Sequence, residues 1–118
     1  MRKKTSIKSD PLKGRGVYAA EPIKKGELIE VCHLVIMPIE EVGATLERFV
    51  FFFSKNKSAM ATGNGALYNH CDTPNAWVEM DDEEMIIEIS ALKSIKQGEE
   101  ITIDYGYTAQ ERKKFGIR

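Results

Sequence analysis

The longest unbroken apolar run in this chain is Phe49-Val50-Phe51-Phe52-Phe53. A run of that length cannot cross a bilayer, which takes about 20 apolar residues in a helix. The other apolar residues come in shorter stretches separated by Gly, Pro, Asn and Asp, the punctuation of short strands joined by turns. Leu28 to Ile36 carries Ile29, Val31, Leu34, Val35 and Ile36 and reads as a strand. Trp77-Val78-Glu79-Met80 and Met85-Ile86-Ile87-Glu88-Ile89 read as two more, joined through Asp81-Asp82. Ile101, Ile103 and Tyr105 alternate with Thr102 and Asp104, again as a strand. Val17-Tyr18-Ala19 follows a tight turn at Gly14-Arg15-Gly16, and residues 5–9 have weaker strand character. The pattern predicts a mostly β domain with small helical insertions.

Two stretches are less definite. Leu46, Phe49, Val50 and Phe53 fit helical spacing, so residues 40–53 read as a short helix passing into irregular structure, although the aromatics would also suit a buried strand. Residues 54–66 are rich in Ser, Asn and Gly and read as loop, and the tail from Ala109 reads as a short helix before Gly116. Pro22-Ile23-Lys24-Lys25-Gly26-Glu27-Leu28-Ile29 is echoed by Ser94-Ile95-Lys96-Gln97-Gly98-Glu99-Glu100-Ile101. One echo does not make a repeat protein, and we read it as one turn-to-strand device used twice.

The 118 residues fit one domain, spanning 1–118, with 42% hydrophobic and 30% charged residues. The net charge of -1 conceals segregation. Arg2, Lys3, Lys4 and Lys8 sit near the start, and Arg112, Lys113, Lys114 and Arg118 at the end. Glu79, Asp81, Asp82, Glu83, Glu84 and Glu88 form an acidic cluster between them. It suits either a solvated turn between two strands or a patch that attracts a basic peptide. The two cysteines, Cys32 and Cys71, cannot make a four-thiolate zinc site, and no His or Cys spacing matches a structural zinc motif. The basic start lacks the apolar stretch of a signal peptide.

Three motifs carry chemistry. The first is Lys13-Gly14-Arg15-Gly16-Val17-Tyr18-Ala19, which is neither a dinucleotide fingerprint nor a phosphate loop. The second is Gly65-Ala66-Leu67-Tyr68-Asn69-His70-Cys71, followed by Pro74-Asn75. The third is Gly98-Glu99-Glu100-Ile101-Thr102-Ile103-Asp104-Tyr105-Gly106. Together they resemble the SET-domain protein lysine methyltransferases over nearly the whole chain. The resemblance implies a SET fold of several short curved β-sheets with short helical insertions and a C-terminal segment threaded as a pseudoknot. It also implies S-adenosylmethionine as cofactor. This chain has no cysteine-rich flanking segments, so the zinc of larger relatives is not carried over.

By the resemblance, Lys13, Gly14, Arg15 and Gly16 line the cofactor pocket with backbone groups, and Asn69 and His70 orient the cofactor. Cys71 stands where the family often has Ser, a small change. Phe115 is placed over the adenine or as an anchor of the tail. Methyl transfer is a direct displacement, so the protein must align amine, methyl and sulfonium and present the lysine amine neutral. Oxygen atoms facing the methyl can hold it by weak C–H···O contacts. Tyr105 is the central residue of the lysine channel and Tyr107 a second. Tyr68 lines the channel or packs in the core. Phe49 or Phe51 supplies a further channel aromatic, where the family frequently has Tyr.

The compact length and Lys55-Asn56-Lys57-Ser58-Ala59-Met60-Ala61 are most similar to small viral SET enzymes that methylate host histones. That implies a basic histone tail as substrate, a homodimer, and an intracellular site, nuclear if viral and cytoplasmic if bacterial. A catalytically inactive SET-like module that binds basic peptides by strand addition is the rival reading, as is methylation of a non-histone protein. No membrane association is expected. Direct nucleic-acid binding is not expected either, since no basic patch is interleaved with aromatics.

Overall fold

In the computed structural model, residues 4–12 and 14–104 are described. They form nine strands: β1 (Thr5–Asp10), β2 (Gly14–Ala19), β3 (Leu28–Pro38), β4 (Val50–Ser54), β5 (Lys57–Ala61), β6 (Asn69–His70), β7 (Ala76–Asp81), β8 (Ile86–Ala91) and β9 (Thr102–Ile103). Single 3₁₀ turns occupy Ile39–Glu41, Glu47–Phe49 and Gly65–Leu67. The strands make three sheets: an antiparallel β1–β2 pair, a five-stranded antiparallel sheet in the order β4-β5-β3-β8-β7, and a parallel β6–β9 pair. The mostly β fold with short helical insertions is thus as the sequence predicts. The expected threading of the C-terminal segment lies outside the described residues.

Alternation along β3 explains its two faces. Cys32 and Leu34 are buried, whereas Val31, His33 and Val35 are exposed, the period-2 pattern of a strand covered on one side. An irregularity between Leu28 and Glu30 lets Ile29 turn inward as well. Ile87, Ile89 and Ala91 of β8 bury the same face. Val17, Ile23, Ile95, Ile101 and Ile103 complete the core, each at most 2% exposed. Each such side chain contributes about 1.5–3 kcal/mol by leaving water.

The echo noted in the sequence pairs with itself. Ile23 and Ile95 exchange backbone hydrogen bonds of 2.8 Å in both directions. Around that bridge the two copies repeat each other's contacts. The Gly26 N–H donates to the Ala91 carbonyl, and the Gly98 N–H donates to the Ala19 carbonyl, both at 2.8 Å. In each turn a glutamate caps the chain, Glu27 accepting from the Lys24 N–H and Glu99 from the Lys96 N–H. Both turns need glycine at their third corner, where φ is +83° at Gly26 and +86° at Gly98. The device used twice is therefore a local two-fold at the centre of the fold.

Two expectations are corrected. Residues 50–54 form a strand, the alternative the aromatics left open, rather than irregular structure after a helix, and residues 57–61 form its partner rather than loop. The reason is packing. Phe51 lies opposite the small Ala59, and Phe51 and Phe53 pack against the core. A large residue facing a small one across a strand pair fills the interior without a clash. The helical spacing of Leu46, Phe49, Val50 and Phe53 was accidental. The strand expected over Ile101–Tyr105 is paired only at Thr102–Ile103 among the described residues.

One polar cluster is buried beneath β3. The Tyr68 hydroxyl donates to Glu30 Oε1 at 2.6 Å, and the Asn64 N–H donates to Glu30 Oε2 at 3.0 Å. Burial, reinforced by the Glu30 carboxylate, raises the Tyr68 phenol pKa well above its usual range. Beside it the Cys32 thiol is pushed up to about 12, first by burial and then by the charge of Glu30. Unfolded Cys32 would titrate near pH ~8.5. Above that pH the folded state binds the extra proton, so this group's contribution to stability falls as pH rises. At pH 8, a thiol-reactive dye should modify Cys71 first in the native protein and both cysteines only in denaturant. Two equally fast native thiols would contradict this placement of Cys32.

Candidate functional site

The parallel pair β6–β9 is two residues long, with Asn69 beside Thr102 and His70 beside Ile103. The Cys71 N–H extends it by donating to the Ile103 carbonyl at 2.9 Å. So short a ladder needs outside support, and Asn75 supplies it. This residue is 7% exposed. Its Oδ1 accepts from the Thr102 N–H and its Nδ2 donates to the Glu100 carbonyl, both at 2.8 Å. Its own N–H donates to Thr102 Oγ1 at 3.4 Å, and its carbonyl accepts from the Leu92 N–H at 2.8 Å. A side-chain amide offers a donor and an acceptor side by side, which lets Asn75 pair with backbone as another strand would.

Asn69 joins this pair to β2. Its Nδ2 donates to Glu100 Oε2 at 2.7 Å and to the Arg15 carbonyl at 3.2 Å. Gly16 makes room for that junction. A Cβ there would lie 2.7 Å from Glu100 Oε2 and 2.8 Å from Asn69 Nδ2, inside contact distance. The His70 ring is nearly enclosed, its side chain 2% exposed. Its Nε2 lies 3.0 Å from Asp72 Oδ1 and its Nδ1 3.6 Å from Asp104 Oδ1. The ring thereby spans from the segment after Asn69 to the residue that precedes Tyr105.

The structure thus brings together Gly14, Arg15 and Gly16 on β2 with Asn69 and His70 on β6. Gly14 and Arg15 are exposed at the rim of the cluster, while Gly16 is buried. Lys13, Tyr105, Tyr107 and Phe115 lie outside the described residues. Tyr68 is fully buried against Glu30 and faces the core, so of the two sequence readings the structure favours packing. Phe49 sits in a 3₁₀ turn, 37% exposed, and Phe51 packs against the core from β4, the edge of the five-stranded sheet. No strand pairing among the described residues links either phenylalanine to the Asn69 cluster.

Sequence reasoning assigned no role to Glu100, Asn75 or Glu30. Glu100 and Asn75 stand inside the quoted motifs, but nothing in one dimension says that their side chains meet Asn69 or Thr102. Glu30 carried no motif signal. Among the described residues, no group of three or more His, Cys, Asp or Glu side chains is placed to hold a metal ion. No helix among them is long and apolar enough to cross a membrane.

Asn75→Ala should unpair the Thr102 N–H and the Glu100 carbonyl together, at roughly 1–3 kcal/mol for each buried group left without a partner. Urea denaturation would measure it, and a loss no larger than that of an exposed Asn→Ala change would deny Asn75 its bridging role.

Comparison with known proteins agrees with this geometry. Residues 14–106 match the SET domain family. The chain is 32% identical over 111 residues to a Schizosaccharomyces pombe histone-lysine N-methyltransferase specific for H3 lysine-37, covering 90% of this chain and 76% of that protein. It superposes with a TM-score of 0.79 and 35% identity on the crystal structure of a Plasmodium falciparum protein assigned as a histone methyltransferase, over 93% of this chain and 99% of that one. A chain of the ctPRC2 complex shares the fold, with a TM-score of 0.72 and 21% identity over 91% of this chain and 15% of that one. The kinship is therefore with fungal and apicomplexan proteins and is not specifically viral, which corrects the sequence reading of residues 55–61. SET domains as a family use S-adenosylmethionine. The cluster around Asn69 suits such a ligand, because Asn69 joins the exposed rim at Gly14 and Arg15 to the Glu100 carboxylate, and a carboxylate favours a cationic sulfonium. Three motifs distant in sequence converge on Asn69, and on that convergence and these kinships the chain belongs to the SET-domain family of protein-lysine methyltransferases.

Proposed function

We propose that this enzyme methylates a lysine of a histone tail, with Gly14, Arg15, Gly16, Asn69 and His70 holding the cofactor and Tyr105 at the reacting end of the lysine channel. One observation carries the reading: the parallel β6–β9 pair sets the Asn69-His70 motif directly beside the strand that leads into Tyr105. Kinship with a histone H3 methyltransferase supports the substrate class. A chromatin substrate would put the enzyme in a nucleus.

Bound S-adenosylmethionine supplies an electrophilic methyl group on a sulfonium. The chain's own residues do the rest. Asn69 is held by Glu100 and the Arg15 carbonyl, so its orientation is set before any ligand arrives, and preorganised groups lose little freedom on binding. His70 Nδ1 lies 3.6 Å from Asp104 Oδ1, which sets the ring beside the residue that precedes Tyr105 in the sequence. In this reading Tyr105 and Tyr107 wall a narrow channel that strips water from the incoming lysine and favours its neutral form. The Tyr105 hydroxyl orients the amine instead of deprotonating it, since a phenol titrates near pH ~10.

A radiolabelled methyl-transfer assay on separated histones, with mass spectrometry of the labelled band, tests the proposal. Label on a single tail lysine is the expected result, and cofactor binding without transfer to any histone would move the substrate to another protein. Tyr105→Phe should lower kcat on the order of 10²-fold, the scale of a misplaced reacting group, with cofactor affinity unchanged. Asn69→Ala should weaken the cofactor about tenfold, or ~1.4 kcal/mol. Equal loss of both properties in both variants would remove the division of roles. The homodimer no longer follows from a viral kinship, and it stays part of the proposal on one observation: among the described residues β4 is an unpaired edge of the five-stranded sheet. A monomeric sedimentation coefficient for the active enzyme would remove it.

A further inference from the structure

The five-stranded sheet covers the core with one face, and no strand or turn among the described residues covers the other. On an open antiparallel face the outward residues are ordinarily polar. Here the outward positions of the central strand β3 are Leu28, Val31, His33 and Val35, and the three apolar ones are exposed by 42%, 43% and 51%. Trp77 of β7, the chain's single tryptophan, stands outward with them at 46%. Strand register makes the patch continuous. Trp77 pairs with Ser90 and Ser90 with Leu28, while in the next row outward Glu79 pairs with Glu88 and Glu88 with Val31.

That second row contains two carboxylates directly opposite each other, an arrangement that is destabilising by itself. Neither is in a salt bridge with a cation among the described residues. Asp81 continues the row of β7 into a turn of further acids, Asp82, Glu83 and Glu84, all exposed. An apolar stripe beside unneutralised carboxylates is not the surface of a strand that merely faces water. A second copy of this chain centred on that row would set carboxylates against carboxylates.

We infer that this open face docks a lysine- and arginine-rich segment of the substrate protein, away from the lysine that is methylated. The chemistry is complementary in both parts. Glu79 and Glu88 would receive the cationic heads, and the aliphatic stems would cover Val31 and Leu28. Trp77 offers a ring face for a guanidinium or ammonium. The inference rests on the histone reading only for the identity of the basic protein.

The double variant Glu79→Gln/Glu88→Gln tests it. The change keeps shape and removes a repulsion, so the fold should be no less stable. With histone H3 as substrate, KM should rise on the order of five- to tenfold, while kcat and the KM for a short peptide around the methylated lysine stay put. An unchanged KM for H3, or an equal rise for H3 and the short peptide, would overturn the docking face. Trp77 emission gives a readout that does not need turnover. It should shift on titration with H3 and lose that response in the double variant. If no histone is methylated, a charge-dependent Trp77 response upholds the docking face while the substrate reading falls; absence of the response overturns the face whether or not methylation is found.

Discussion

The amide of Asn75 reaches the Glu100 carbonyl and the Thr102 N–H at 2.8 Å each, and the site is assembled around that contact. β6 and β9 pair over only two residues, too few to hold a parallel ladder unaided. With Asn75 acting as a surrogate strand, Glu100 is fixed in space. Glu100 in turn receives Asn69, and Asn69 reaches back to the Arg15 carbonyl. Three sequence-distant motifs are thus tied by a chain of hydrogen bonds that is buried at Asn75 and Thr102, where such bonds are strong and their loss is expensive, and reaches solvent at the Arg15 carbonyl.

The scaffold beneath the site is a local two-fold. Two similar turns, centred on Gly26 and Gly98, meet at the Ile23–Ile95 bridge and hand the chain into β3 and toward β9. The pairing is economical for a small domain. Val17, Ala19, Ile23 and Ile29 on one side are matched by Ile89, Ala91, Ile95 and Ile101 on the other, all buried. The two halves have diverged at their ends. The Leu28 carbonyl is met by the Lys4 ammonium, and the corresponding Glu100 carbonyl by Asn75. Only the second arrangement leads to chemistry.

Separate parts of the molecule carry separate tasks. The candidate site lies where β2, β6 and the approach to β9 converge. The five-stranded sheet adjoins it through Asn75, which immediately precedes β7, its inner face closing the core and its outer face apolar and acidic. A methyl donor needs a small, shielded, electronegative site, whereas a basic protein segment needs an extended surface. One short chain offers both because its sheets are separate.

Much was legible in one dimension. Period-2 alternation marked β3, β7 and β8, the repeated Gly-Glu turns marked one turn-to-strand device used twice, and the three motifs implied the SET fold and its cofactor. Those features are local: a strand's alternation, a turn's glycine and a motif's spacing depend on neighbours in sequence. Residues 50–61 were misread because their strand pairing depends on Phe51 finding Ala59 across the ladder, which no local pattern encodes. Asn75, Glu100 and Glu30 were silent for the same reason, since a side-chain hydrogen bond is a property of two residues brought together by everything between them. Sequence determined which elements exist and what chemistry the chain belongs to. Tertiary structure decided which polar atoms meet and which face of the sheet stays open, because burial and pairing energies act on distances in space.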